Sequence, residues 1–251
     1  MSDDLRTRVE AAILRLFIAH EGAALRKEDR QKSAELTGLL RHVAPLKKGA
    51  HVVDAAAGKS SVGFVAAELL PVGRLTVIER AKDRVAACRD AATRVRSGVE
   101  IDVREADVAE TGAWPNAPDV VVALHACGGA ADAVLDAAIR AEARRVIVAP
   151  CCYGKSVPFR DRAIDAVTNL GFVADDVLRR RIAASLVDLE RKLRLEAGGY
   201  ETDIEEFVAP TITPHNIAFV ARRTCSPVRM ERARVRLGDL SRAAGSNTMG
   251  A

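Results

Sequence analysis

His51-Val52-Val53-Asp54-Ala55-Ala56-Ala57-Gly58-Lys59-Ser60 is the stretch on which the fold turns. Two β-branched residues run into an aspartate and then into a chain of small side chains ending at glycine. A buried strand that passes directly into a small-residue turn and then a helix is the opening unit of an open α/β sheet. The small side chains let a ligand approach the backbone closely, and Gly58 relieves the turn. Asp54 can accept hydrogen bonds from a ligand amine or from neighbouring amides, and the residue types leave both uses open. Ser60 or Ser61 can cap the helix that runs toward Leu70.

Upstream of this unit the hydrophobic period is helical. Val9, Ile13, Leu14, Leu16 and Phe17 recur at helix spacing, as do Leu36, Leu39, Leu40 and Val43, and Pro45 and Gly49 end the pattern. Downstream, strands and helices alternate. Leu75–Ile78, Val99–Arg104, Asp119–Leu124 and Arg145–Ala149 read as strands, with helices over Lys82–Arg96, Ala130–Ala141 and Phe159–Leu170. Phe172–Leu178 reads as a sixth strand and Ile217–Ala221 as a seventh. The continuous apolar character of Val120-Val121-Val122-Ala123-Leu124 suits a strand buried on both faces. The expected fold is therefore a doubly wound, Rossmann-like α/β sheet, with ligands beyond the carboxyl ends of its strands.

Two phosphate-binding patterns fail at the first turn. A P-loop ending in Gly58-Lys59-Ser60 needs a glycine where Val53 stands, and a dinucleotide fingerprint needs three glycines where Ala56, Gly58 and Ser61 stand. The later strand ends carry acids. Glu79, about 20 residues beyond Gly58, suits ribose hydroxyls. Asp107 follows the third strand, where it can accept a proton from an amine such as that of adenine. An amine, a ribose and an adenine in one cleft describe S-adenosylmethionine.

The fourth and fifth ends are Leu124-His125-Ala126-Cys127-Gly128 and Pro150-Cys151-Cys152-Tyr153-Gly154-Lys155. If their strands are neighbours, His125, Cys127, Cys151, Cys152 and Tyr153 converge. They can line a substrate pocket, pack as strand-end residues, or supply a tetrahedral set to zinc. Cys151 and Cys152 are adjacent, and neighbours in an extended strand face opposite ways, so no metal is expected. A last cluster, Thr211-Ile212-Thr213-Pro214-His215-Asn216, either faces the same cleft or closes a loop.

With these motifs in this order, the chain resembles a divergent group of class I S-adenosylmethionine-dependent methyltransferase domains. The group includes the domain of the glutathione S-transferase C-terminal domain-containing protein and related methyltransferase-like proteins. A eukaryotic tRNA 2′-O-methyltransferase is a more distant relative. The resemblance covers roughly residues 31–223. It implies a seven-stranded sheet with the last strand antiparallel, S-adenosyl-L-methionine as cofactor, and cofactor contacts at Asp54, Ala56, Gly58, Glu79 and Asp107, with Arg80, Val108 and Leu124 beside them. Two departures stand out: the group's first turn has glycine where Ala56 and Ser60 stand. The stretch Arg30-Gln31-Lys32-Ser33-Ala34-Glu35 resembles the group's helix before the first strand, without its histidine. For the chemistry, His125 or His215 is the expected base, Tyr153 and Asn216 orient the acceptor, and Cys127, Cys151, Cys152 and Lys155 line its pocket.

The totals fit this reading. The chain has 251 residues and 49% hydrophobic content, enough for one main core. No run of about 18 apolar residues occurs, so no membrane span is expected. The start Met1-Ser2-Asp3-Asp4 is acidic and no apolar stretch follows it, which argues against a secretory signal. Five cysteines form no disulfide framework and read as reduced thiols in a cytoplasmic protein. The segment from Arg222 onward carries seven arginines against Glu231 and Asp239, so it holds the whole basic excess of a chain whose net charge is +4. The expected organisation is an N-terminal helical extension over 1–48, a methyltransferase domain over 49–223 and a basic, partly flexible tail over 224–251. Such a tail can track phosphates, so RNA is the expected acceptor. A protein or small-molecule acceptor, or a cofactor-binding scaffold without catalysis, are the alternatives.

Overall fold

The computed structural model describes residues 2–19, 22–171 and 176–245. Two helices, α1 (Ser2–Ile13, continued by a π-helical turn over Leu14–Ile18) and α2 (Lys27–Val43), precede the sheet. The strands are β1 (Ala50–Ala55), β2 (Val72–Glu79), β3 (Glu100–Glu105), β4 (Val120–Ala126), β5 (Arg145–Pro150), β6 (Tyr200–Glu206) and β7 (Ile217–Arg223). The helices between them are α3 (Ser61–Leu69), α4 (Lys82–Ala92), α5 (Gly129–Arg140), α6 (Arg160–Asn169) and α7 (Asp176–Ala197), and α8 (Pro227–Gly245) follows β7.

The strands form one seven-stranded sheet in the order β3-β2-β1-β4-β5-β7-β6. β1 to β5 pair in parallel, and β7 runs antiparallel to both β5 and β6. The order reverses at β1, whose neighbours are β2 and β4, so the ends of β1, β2 and β4 flank one crevice.

Period-2 alternation divides the strand side chains between two cores. Val52, Val120, Val122 and Ile147 pack with α1, α2 and α3. Val53, Val121, Val146 and Val148 pack on the other face with Val134 and Leu135 of α5. Both faces being covered, β4 is apolar from Val120 to Leu124, as its sequence indicated.

A third apolar cluster joins α6 and α7 through Val157, Phe159, Ala163, Val167, Ala183 and Val187. α8 also lies along α7, so the basic segment expected as a tail forms helix over Pro227–Gly245. The sixth strand differs from expectation. Of Phe172–Leu178, residues 172–175 lie outside the described residues, and Asp176–Leu178 belong to α7. The sixth strand is Tyr200–Glu206, at the edge of the sheet. Its Tyr200 and Thr202 are buried while Asp203, Glu205 and Glu206 are exposed. Charged residues on an edge strand block pairing with another chain, and they also hide the strand from a hydrophobicity pattern.

Candidate active site

The first turn is built around a buried carboxylate. Asp54, at the end of β1, is 2% exposed. Its Oδ2 accepts hydrogen bonds from the Ser60 hydroxyl and the Gly63 amide, both at 2.8 Å. Ser60 stands at the cap position of α3, but its hydroxyl is turned to Asp54 instead of the helix amides. A Cβ on Gly63 would lie 2.9 Å from the Asp54 carboxylate, so only glycine permits this approach of helix to strand. Ala56 and Ser60 adopt left-handed backbone, with φ of 50° and 52°. These are the two positions at which the resemblance implied glycine. The turn keeps a glycine-type path and carries strain of about 1 kcal/mol at each alanine or serine.

Burial pushes the Asp54 carboxyl up to about 7, against the opposing pull of the Ser60 and Gly63 hydrogen bonds and the Lys32 charge. A carboxyl whose folded value lies above its unfolded one stabilises the fold most at low pH, and loses that stabilisation as pH rises through the folded value. Between pH 4 and 7 the ligand-free protein should therefore lose stability relative to Asp54→Asn, by up to about 4 kcal/mol. Paired urea titrations across that range check this. A constant difference between the two proteins would refute it.

Glu79 closes the turn from the neighbouring strand. Its Oε2 accepts from the Gly58 amide at 2.7 Å and its Oε1 from the Ala81 amide at 2.9 Å. Each carboxylate oxygen keeps a further lone-pair site for a ligand hydroxyl. At the end of β3, Asp107 accepts from the Ala109 amide at 2.9 Å and pairs with Arg80 at 3.3 Å, in the open. Between these ends lies a cavity of about 480 Å³, lined by Ala56, Glu79, Asp107, Val108, His125 and Cys127 among others. That volume is of the size that holds a small-molecule ligand. Leu124 is half-buried and packs toward the α2–α3 core.

At the end of β4 the pairing register shifts between Leu124 and Ala126, and His125 takes φ of 62°. Such an irregularity re-aims a side chain. It sends the imidazole to α2, where Nε2 lies 2.9 Å from Glu35 Oε2, while the ring also lines the cavity. Lys32 approaches the same carboxylate at 3.5 Å. Burial raises the Glu35 carboxyl, but the His125 hydrogen bond and the Lys32 charge outweigh it, and it sits below its usual range. Burial pulls the Lys32 ammonium below its own usual range despite Glu35 and Asp54. The sequence reading singled out the 30–35 stretch but missed this pairing. The signal was there in Lys32 and Glu35, three apart on one face of a helix.

β5 ends at Pro150, so Cys151 and Cys152 lie beyond it in irregular chain. The expectation that they face opposite ways fails for that reason: the alternation of an extended strand no longer applies. Both sulfurs and that of Cys127 lie within 4.8 Å of one another. Tyr153 donates its hydroxyl to Asp188 at 2.7 Å, and its ring lies 5.5 Å from the Arg191 guanidinium. Burial, then the Asp188 charge, drives its phenol far above the ordinary range. Lys155 is exposed on the turn that follows.

The late cluster closes a loop. Asn216 is buried and donates to the Val208 carbonyl at 3.1 Å, and its own carbonyl accepts from the Phe207 amide. His215 is exposed, with its amide 3.2 Å from the Thr213 hydroxyl. Gln31 of α2 donates to Ile212 at 2.6 Å and ties this loop to the helix that carries Lys32 and Glu35. The structure thus brings Ala56, Glu79, Asp107, Val108, His125 and Cys127 to one cavity. Tyr153 and Asn216 have their polar groups committed elsewhere.

A family model described as a methyltransferase domain matches residues 31–156. The glutathione S-transferase C-terminal domain-containing protein of Xenopus laevis is 33% identical over 126 residues, 49% of this chain and 20% of that protein. The Homo sapiens protein of the same description is 26% identical over 196 residues, 68% of this chain and 29% of its own length. The chain thus spans well under half the length of the curated relatives it matches. Among solved structures, a fibrillarin/Nop5p complex superposes with a TM-score of 0.51 at 12% identity, over 76% of this chain and 81% of that one. The Methanococcus jannaschii fibrillarin pre-rRNA processing protein gives 0.51 at 16% identity, over 75% and 74%. No described helix is long and apolar enough to cross a membrane.

Proposed function

The chain belongs to the methyltransferase-domain family whose model matches its residues 31–156, and from that membership we propose that it is an S-adenosylmethionine-dependent methyltransferase acting on RNA. The observation that carries the cofactor reading is the cavity at the ends of β1, β2 and β3. Ala56 lines it in the left-handed turn, Glu79 and Asp107 present carboxylates from consecutive strand ends, and Gly58, expected at the cofactor, instead donates its amide to Glu79 behind the cavity wall. The donor set fits the group: Glu79 suits the ribose hydroxyls and Asp107 the adenine amine, while Asp54, buried behind the turn, shapes it through Ser60 and Gly63 and does not line the cavity.

The cofactor supplies an activated methyl group on a sulfonium, a leaving group that needs no acid. The chain's part is to align the acceptor and to take its proton. His125 is placed for that. With Nε2 protonated and donating to Glu35, Nδ1 keeps its lone pair for a proton from an acceptor in the cavity. Glu35 is then a positioning residue that fixes the tautomer.

RNA as acceptor is supported by exposed arginines of the α6–α8 lobe, among them Arg181 of α7 and Arg232 and Arg236 of α8. The solved fibrillarin with this fold is described as a pre-rRNA processing protein. Calorimetry with S-adenosylmethionine, its demethylated product and ATP tests the cofactor, and labelled methyl transfer into total RNA and protein extracts tests the acceptor. The expected result is binding of the first two ligands and label in RNA, with RNA affinity falling steeply as salt rises. Binding of the cofactor with no label in any extract would make the chain a scaffold. Label in protein alone would remove RNA.

A further inference from the structure

We propose that the thiols of Cys127, Cys151 and Cys152 bind one zinc ion, with the fourth coordination position open toward the cavity. Strand pairing makes the site. Ala126 of β4 lies opposite Pro150 of β5, so the next residues along these parallel strands, Cys127 and Cys151, emerge side by side. Cys152 follows in irregular chain, and all three sulfurs lie within 4.8 Å of one another. Thiolates around a tetrahedral zinc at 2.3 Å stand about 3.8 Å apart. The Cys127–Cys151 pair, at 2.7 Å, needs to open by about 1 Å to reach that spacing, and Cys127 is exposed and free to turn.

A backbone donor faces one of the three sulfurs. The Gly128 amide donates to Cys152 Sγ at 2.9 Å, a hydrogen bond of the kind that supports metal-bound thiolates. Glycine suits this position, with φ of 58° and the Ser156 hydroxyl 2.2 Å from where a Cβ would lie. Each thiol releases its proton to solvent as it binds, so three thiolates and one zinc carry a net charge of −1. Zinc suits the donor set: it is borderline-soft, has no preference against a distorted tetrahedron, and takes three protein ligands where a fourth position stays open. Cys127 lines the cavity, so that open position faces the acceptor side and takes water when no acceptor is present. The ion would also tie together the two loops that form the cavity wall.

The test is titration of the reduced full chain with zinc against a chromophoric chelator, and with cobalt as a spectroscopic probe. No cofactor is present, so the result is independent of the methyl-transfer reading. The expected outcome is one zinc per chain, with sulfur-to-cobalt charge-transfer bands and tetrahedral d–d bands. Cys127→Ser, Cys151→Ser and Cys152→Ser should each weaken binding by about 100-fold or more, and Cys225→Ser should not. Melting curves confirm that each variant is folded, and the cobalt spectrum of the unaltered chain stands even where a variant is not. Absence of stoichiometric uptake by the reduced protein overturns the proposal. So does an octahedral cobalt spectrum, or binding that survives replacement of all three thiols.

Discussion

Replacing Asp132 by alanine should lower the unfolding free energy by about 3–5 kcal/mol, a drop in melting temperature of roughly 10 °C for a chain of this size. Asp132 of α5 is 3% exposed and faces Arg191 of α7, which is fully buried. The pair is bidentate, with Arg191 Nη2 and Nε at 2.8 and 3.2 Å from the two carboxylate oxygens, and Arg194 reaches the same carboxylate at 2.5 Å. Asp188, at 3.5 Å from Arg191, cannot take over the charge. Burial raises its own carboxyl to about 6 despite Tyr153 and Arg191, so it is already poorly solvated. Alanine at 132 leaves a guanidinium inside the protein with one weak partner, and it is this uncompensated charge that costs, not the loss of the pair itself. The paired change Asp132→Leu with Arg191→Met removes both charges and should recover most of the stability. Chemical unfolding of the three proteins decides the matter. A loss below about 1 kcal/mol in the single variant would mean that Arg191 escapes to water.

This network also reaches the loop that follows β5. Arg191 also lies against the Tyr153 ring, and Tyr153 holds Asp188. The segment that carries Cys151 and Cys152 is therefore clamped to α7 immediately beyond the two thiols. Tyr153, expected to orient an acceptor, has its hydroxyl on Asp188 and its ring against Arg191, and is not among the residues lining the cavity.

The parallel part of the sheet was legible because burial on both faces writes itself as runs such as Val120-Val121-Val122. β6 was not, because Tyr200-Glu201-Thr202-Asp203 buries one residue in two at an edge and points acids outward. α7 was hidden for a related reason. Its inward face mixes Ala183 and Val187 with Asp188 and Arg191, a buried ionic cluster that reads as solvent-exposed helix until α5 supplies Asp132. At the site, Glu79 and Asp107 could be found from strand ends alone, since chain order places them. The Glu35–His125 contact spans 90 positions and depends on a backbone irregularity at a non-glycine residue, which no spacing rule anticipates. The cysteine pair was misjudged by one residue: had β5 continued past Pro150, the two sulfurs would have faced apart.

Replacing Glu79 by alanine should weaken S-adenosylmethionine binding by about 100- to 1000-fold, the equivalent of two charge-assisted hydrogen bonds of about 1.5–2 kcal/mol each. Two effects combine. The carboxylate would no longer meet the ribose hydroxyls, and the Gly58 and Ala81 amides would lose the acceptor that now holds the first turn against β2. Because Ala56 and Ser60 are already strained in that turn, it has little reserve to keep its shape without this tie. Glu79→Gln separates the two contributions only in part, since its amide nitrogen would meet one of the two N–H donors head-on. Its affinity should lie between those of the alanine variant and the original. Glu100→Ala, at the far end of β3 from the cavity, is the contrasting control: its side chain is 64% exposed and its pair with Arg74 is open to solvent, so affinity should change by less than about threefold. Calorimetry on the three variants, with melting curves to confirm folding, makes the comparison. If Glu79→Ala binds within threefold of the original chain, as Glu100→Ala does, the ribose is not held at the end of β2.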